Sequence, residues 1–149
     1  MRERKTEAME CLIHLKSRSS EEPEGQELWV SGTCYEKKPG IFQILYESRE
    51  DLDGNAPELL TKNRLKLEPE CLTVVRYGPT GSTLVFGPGR TEDSLYRTPF
   101  GELVLTFRTV EFRREVREDG VTVRLRYEIL TGAERISENT MEIAVSFQA

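Results

Sequence analysis

Apolar and polar residues alternate with a period of two along most of this chain, and Gly and Pro interrupt the alternation roughly every eight to twelve residues. That pattern predicts short half-buried strands joined by turns, the signature of an antiparallel sandwich or barrel. Helical spacing is scarce. The predicted strands cover 8–17, 27–36, 41–48, 58–67, 71–77, 82–87, 92–98, 101–117, 121–131 and 135–147. In the first, Met9, Cys11, Ile13 and Leu15 share a face; near the end, Val121, Val123, Leu125, Tyr127 and Ile129 share one, and Met141, Ile143, Val145 and Phe147 another. Segment 58–67 also contains good helix formers behind an Asn55-Ala56-Pro57-Glu58 cap, but Leu65 and Leu67 alternate into the Glu68-Pro69-Glu70 turn, which favours strand.

Register follows from the turns. A two-residue turn at Asp119-Gly120, whose composition suits positive φ, would set Val116 against Val123, Phe112 against Tyr127 and Val110 against Ile129. The opposite face would pair Glu115 with Arg124 and set Glu111 diagonal to Arg126; Arg113 would come near Arg126, and Arg114 would lie on the apolar side. Upstream the phase changes: Leu103, Leu105 and Phe107 lie on one parity and Val110, Phe112 and Val116 on the other. A bulge near Arg108 or Thr109 would restore the face and bend the strand, as closure of a sheet requires.

The expected architecture is therefore all-β: a single antiparallel meander β-barrel of about 8 to 10 strands. It would span 1–149, with 1–7 as a flexible N-terminus. In a meander the connections alternate between the two ends. Lys38-Pro39-Gly40, Glu68-Pro69-Glu70, Gly87-Pro88-Gly89 and Asp119-Gly120 close one end, and the longer stretches Arg18 to Gln26 and Arg49 to Pro57 fall at the other. That second end is the expected mouth. It carries Glu21, Glu22, Glu24, Glu27, Glu50, Asp51 and Asp53, so an anionic ligand entering there would meet like charge.

Composition narrows the function. The 149 residues include 26 acidic and 21 basic side chains, a net charge of −5, which counts against nucleic acid as a partner. No apolar run approaches the length of a membrane-spanning helix, and Cys11 to Leu15 is too short for a signal peptide, so the expected location is the cytoplasm. Cys11, Cys34 and Cys71 form no close pair and fit reduced thiols rather than a disulfide framework or a zinc site. Asp51-Leu52-Asp53-Gly54-Asn55 resembles a calcium loop only in its alternating oxygens: the glycine is displaced and Lys62 stands at the closing position. Gly78 to Ser82 and Gly87 to Arg90 lack a following Lys and read as turns rather than phosphate cradles. His14, the one histidine, has outward parity and no nucleophile beside it. The run from Arg108 to Arg126 is interleaved with Glu111, Glu115, Glu118 and Asp119, which makes a salt-laced outer face. No catalytic constellation, metal or cofactor is expected.

Four stretches are apolar on both parities: Ile41-Phe42, Ile44-Leu45-Tyr46, Leu84-Val85-Phe86 and Leu103-Val104-Leu105. Strands of that kind need cover on both faces, which suggests a homodimer. Diffuse markers run along the chain beside these: Gly32-Thr33-Cys34-Tyr35, Val75-Arg76-Tyr77-Gly78, Phe86 to Gly89, Tyr96-Arg97-Thr98-Pro99-Phe100-Gly101-Glu102-Leu103, Thr109, Tyr127 and Asn139-Thr140-Met141. In these the chain resembles the YwiB-like bacterial proteins, domain-of-unknown-function family 1934, from about Glu10 to Phe147. The resemblance implies a cytoplasmic, calycin-like (lipocalin-related) barrel and carries no catalytic residues with it. The lipocalin pairing of an early Gly-x-Trp with a late basic residue is absent, since Trp29 precedes Gly32 and no Lys or Arg follows Ile136.

Two functions follow. One is a barrel binding a small apolar ligand, neutral or cationic, with Tyr77, Phe86, Phe107 and Tyr127 as wall residues. The other is an interaction or structural module whose barrel is filled and whose apolar outer strands meet a partner.

Overall fold

The computed structural model describes residues 8–50, 59–77, 82–98 and 101–148. The proposed N-terminal segment 1–7, the acidic Asp51 to Asn55 loop, the Gly78 to Gly81 turn and Pro99-Phe100 lie outside them. Ten strands follow in order: β1 (Met9–Ser19), β2 (Glu22–Lys38), β3 (Ile41–Glu50), β4 (Leu59–Glu68), β5 (Cys71–Tyr77), β6 (Ser82–Phe86), β7 (Thr91–Thr98), β8 (Gly101–Arg117), β9 (Gly120–Thr131) and β10 (Glu134–Phe147). All ten form one antiparallel sheet in the order β6-β5-β4-β3-β2-β1-β10-β9-β8-β7. Each strand pairs with its chain neighbours except across β6 and β7, while β10 returns to β1. The sheet curls until its two edge strands meet, giving the nearly closed barrel expected from the alternation. Segment 59–68 is strand: Leu65 and Leu67 are buried on β4 at the parity that made strand the better reading.

Packing follows the period of two. Inward positions Cys11, Ile13, Cys34, Ile44, Leu65, Leu67, Leu72, Phe86, Val121, Val123, Ile143 and Val145 are almost wholly withdrawn from solvent. They fill the half of the barrel nearer the tight turns at Pro39-Gly40, Pro69-Glu70, Pro88-Gly89 and Glu118-Asp119. Arg114 sits inside that end. Its guanidinium donates to the Leu67 carbonyl at 3.2 Å and lies 6.0 Å from the Phe42 ring centroid. Partial burial lowers its pKa, and its stem covers the apolar floor.

The β8–β9 register differs from expectation by two residues. Val116 faces Val121, Phe112 faces Leu125, Glu115 faces Thr122, Glu111 lies directly opposite Arg126, and Arg113 faces Arg124. The turn is Glu118-Asp119, and Gly120 is the first residue of β9. Gly120 does not have positive φ; its role is close approach, because a Cβ there would lie 2.1 Å from the Val145 carbonyl oxygen. A shift of two preserves parity, so the faces survive. The bulge falls at Val110, where the register passes from Thr109↔Tyr127 to Glu111↔Arg126. Val110 is turned out and is 49% exposed, rather than facing Ile129.

The stretch Arg18 to Gln26 is not a long loop. β1 and β2 continue almost to a two-residue turn at Ser20-Glu21, with a bulge between Ser17 and Ser19. The alternation fades there because both faces of this ribbon are wet. β2 pairs with β3 only from Gly32 to Lys38, so its first half pairs with β1 alone and the two strands fork. Gly32 stands at the fork, where a Cβ would lie 2.7 Å from the Leu45 carbonyl oxygen.

The thiols give a direct check on this packing. Burial pushes the Cys11 thiol up to about 11 and Cys34 up to about 12, whereas Cys71 is half-buried at the start of β5. In native protein at pH about 8, a disulfide reagent such as Ellman's is expected to modify one thiol quickly, and all three only after denaturation. Rapid modification of all three in the native state would contradict the filled core.

Candidate functional site

Four wall residues were expected from sequence, and the structure brings three of them together. Phe86 (β6), Phe107 (β8) and Tyr127 (β9) form one buried aromatic cluster, with centroids 4.7 Å apart for Phe86–Tyr127, 5.9 Å for Phe107–Tyr127 and 6.1 Å for Phe86–Phe107. They pack against one another, edge to face for the two phenylalanines, rather than around an open lumen. Tyr77 is elsewhere. It follows Leu72 and Val74 on the opposite parity, points outward from β5 and is 46% exposed, with the Arg64 guanidinium 5.9 Å from its ring centroid.

Above the aromatic cluster the interior changes character. Thr61 and Asn63 on β4, Ser94 on β7, and Ser137 and Asn139 on β10 are all buried. The Asn63 amide donates to Ser48 Oγ at 3.0 Å and to the Thr61 carbonyl at 3.2 Å, and the Asn139 amide donates to Ser137 Oγ at 3.0 Å. Among the described residues, no buried side-chain polar atom lacks a partner. The barrel thus has an apolar half and a hydrogen-bonded half. Reading by residue type missed these groups, although Asn63 continues the Leu65, Leu67 parity and Asn139 the Met141, Ile143 parity. A polar residue at a core position was the available signal.

The seam between β6 and β7 is the opening in the wall. No ladder joins them. Ser94 Oγ donates to the Thr83 carbonyl at 2.7 Å, and Gly87 N–H donates to Thr109 Oγ1 at 3.2 Å, pinning the connecting turn to β8. Gly89, with φ of 67°, and the bond from Arg90 N–H to the Gly87 carbonyl at 3.0 Å make that segment the turn expected. A cleft of about 450 Å³ lies along the seam. Phe107, Leu84, Ser82 and Ser94 line it from inward positions, and Tyr77 and Leu95 from outward ones. Of the expected wall residues, Phe107 and Tyr77 therefore share this cleft. Its charged groups are Arg76, Glu92 and Asp93; Glu92 takes a hydrogen bond from Arg90 at 2.9 Å and Asp93 one from Thr106 at 2.7 Å.

Outside, the expected salt-laced face is present. Arg108 and Arg135 hold Glu128, Arg117 meets Glu115 and Asp119, and Arg126 reaches Glu111 at 3.6 Å. His14 stacks on Trp29, centroids 3.6 Å apart, and its Nε2 meets the Glu27 carboxylate. Hydrogen bonds from Arg108 and Arg135 hold the Glu128 carboxyl below the usual range, and Arg124 does the same for Glu142. Their folded pKa values are depressed. The stabilisation they supply is therefore fully present above the ordinary glutamate value of about 4.3 and is lost as pH falls through the lower folded values. Urea unfolding between about pH 2 and 6 is expected to show a shallower acid decline in Glu142→Gln than in the parent. An unchanged slope would contradict the ion pairing.

Among the described residues no group of three or more His, Cys, Asp or Glu is placed to hold a metal ion, and no helix is long and apolar enough to cross a membrane. No curated protein matches the chain. The fold is similar to the crystal structure of the YwiB protein from Bacillus subtilis, with a TM-score of 0.74 at 19% identity over 97% of this chain and 96% of that one. The family described as Domain of unknown function (DUF1934) matches residues 13–143, nearly the whole barrel. Thr109 and Gly32, read from sequence as diffuse markers, hold the seam turn and the strand fork, and the chain belongs to the DUF1934 family.

Proposed function

We propose that this protein is a non-catalytic binding barrel whose ligand site is the β6–β7 seam rather than the apolar lumen. The observation that supports this reading is the cleft of about 450 Å³ over Phe107, between two edge strands that share no ladder. A volume in the range of about 300–1,000 Å³ suits one small molecule. The lumen is a poor competitor, because its apolar half is filled by its own side chains. The ligand would be small and neutral: an apolar face against Phe107, Leu84 and Leu95, and hydrogen-bonding groups toward Ser82 and Ser94. Arg76 and the two carboxylates in the walls all have partners, which leaves little to hold a charged ligand. Three thiols without a disulfide suit a reducing compartment, and the cytoplasm is the location we favour.

Native mass spectrometry of protein purified from its own host tests this reading. The expected result is a retained small molecule, released or weakened in Ser94→Trp, which would fill the cleft. A mass equal to the bare polypeptide, together with no shift of seam amides on titration with neutral aromatic probes such as phenol and indole, would count against it.

A second reading has its own observation. Leu95 and Val104 lie opposite each other on the outer face of β7 and β8, 43% and 55% exposed, near Tyr77. If that patch carries a homodimer, light scattering will give twice the chain mass, and Val104→Glu will give a monomer. A monomeric parent would remove this alternative.

A further inference from the structure

The outer face of β2, β1, β10, β9 and β8 presents its side chains in rows that cross the strands. One row runs Glu27, Lys16, Glu142, Arg124, Arg113. The next runs Arg18, Thr140, Arg126, Glu111. Both rows line a groove of about 860 Å³ on the outside of the barrel.

The first row shows what the walls of this groove do with an anion. Over β10, the Glu142 carboxylate accepts from Arg124 Nε at 2.7 Å on one side and meets Lys16 Nζ at 3.8 Å on the other. Cations on β1 and β9 converge on one carboxylate between them. The second row repeats the walls with Arg18 on β1 and Arg126 on β9, but the residue over β10 is Thr140, a hydroxyl. Among the described residues Arg18 has no ion-pair partner, and Arg126 has only Glu111, at 3.6 Å. Two strand spacings separate the walls by about 10 Å, a span that two arginine side chains can close around one group.

We propose that the second row binds a single oxyanion of a small ligand, a carboxylate or a phosphate, between the Arg18 and Arg126 guanidiniums, with the Thr140 hydroxyl donating to it. Arg113, directly opposite Arg124 and also in the groove, reinforces the field. Such like-charged cross-strand pairs are unfavourable on their own, and a nearby anion offsets the repulsion. The groove also holds Glu24, Glu27, Glu111 and Glu142 against Lys16, Arg18, Arg113, Arg124 and Arg126, leaving a surplus of one positive charge. That balance fits one anionic group, while the net charge of −5 on the whole chain disfavours a polyanion such as nucleic acid. This inference does not depend on the seam reading.

The test is an NMR titration of the full chain, labelled with nitrogen-15, at low ionic strength with inorganic phosphate and, separately, acetate. The expected result is a saturable shift at Arg18, Arg126 and Thr140 that added sodium chloride reverses. Thr140→Glu, which extends the first row's bridge into the second, and Arg18→Gln should each weaken the response about tenfold or more. Both positions are exposed, and the amide spectrum reports whether each variant keeps the fold; Arg126→Gln is a third variant. A response to phosphate alone, to acetate alone or to both supports the site and distinguishes the source of the oxyanion. No saturable response to either, or an equal response in the variants, overturns it.

Discussion

Phe86→Ala is expected to cost about 3–5 kcal/mol and to lower the melting temperature by roughly 10 °C. Phe86 is wholly buried and packs against Tyr127 and Phe107, so one side chain ties β6 to β8 and β9 across the seam. Backbone pairing does not join β6 to β7, and the relaxation that would close the cavity is therefore limited on that side. Tyr77→Ala is the control. It removes an outward ring over Arg64 and should cost under about 1 kcal/mol. Urea and thermal unfolding measure both, and equal losses would contradict the placement of these two aromatics.

Gly120→Ala is the second large effect. The added methyl would meet the Val145 carbonyl oxygen at 2.1 Å, with the Val145 carbonyl carbon at 3.2 Å. Backbone has no rotamer to yield, so β9 and β10 must move apart where Val121 and Val145 pack at the floor of the core. Overpacking of this kind costs about 1–3 kcal/mol, and backbone contact places it toward the upper end. Gly89→Ala is an instructive comparison, because nothing lies within 4 Å of a Cβ there and only the φ of 67° opposes the change. It should cost about 1 kcal/mol. If Gly120→Ala were the milder of the two, the close approach of β9 and β10 would be wrong.

The strands were legible because each carries a run of alternation with its own punctuation. Val121 to Ile129 and Met141 to Phe147 fixed their faces whichever register their turns adopted. Register itself was not legible at Asp119-Gly120, since a glycine demanded by a neighbouring carbonyl looks the same in sequence as one demanded by positive φ. The Val110 bulge was visible as a phase change but was displaced by one residue beyond the expected positions. The site was legible only in part. Phe86, Phe107 and Tyr127 were found because aromatics at inward parity gather, whereas Tyr77 lay on the other parity of its strand. The seam, the fork at Gly32 and the row of Arg18, Thr140 and Arg126 depend on which strands become neighbours, and no local pattern encodes that.

The sheet curls until β6 and β7 meet without pairing, and the site in the seam depends on that geometry. Amide hydrogen exchange, followed residue by residue in the full chain, tests it most directly. Strong protection is expected for the amides of β9 and β10, which lie inside the ladder order, and fast exchange for the β6 and β7 amides that face the seam. Uniform slow exchange through Ser82–Phe86 and Thr91–Thr98 would mean a closed ladder there, and would contradict both the open seam and the binding site placed in it.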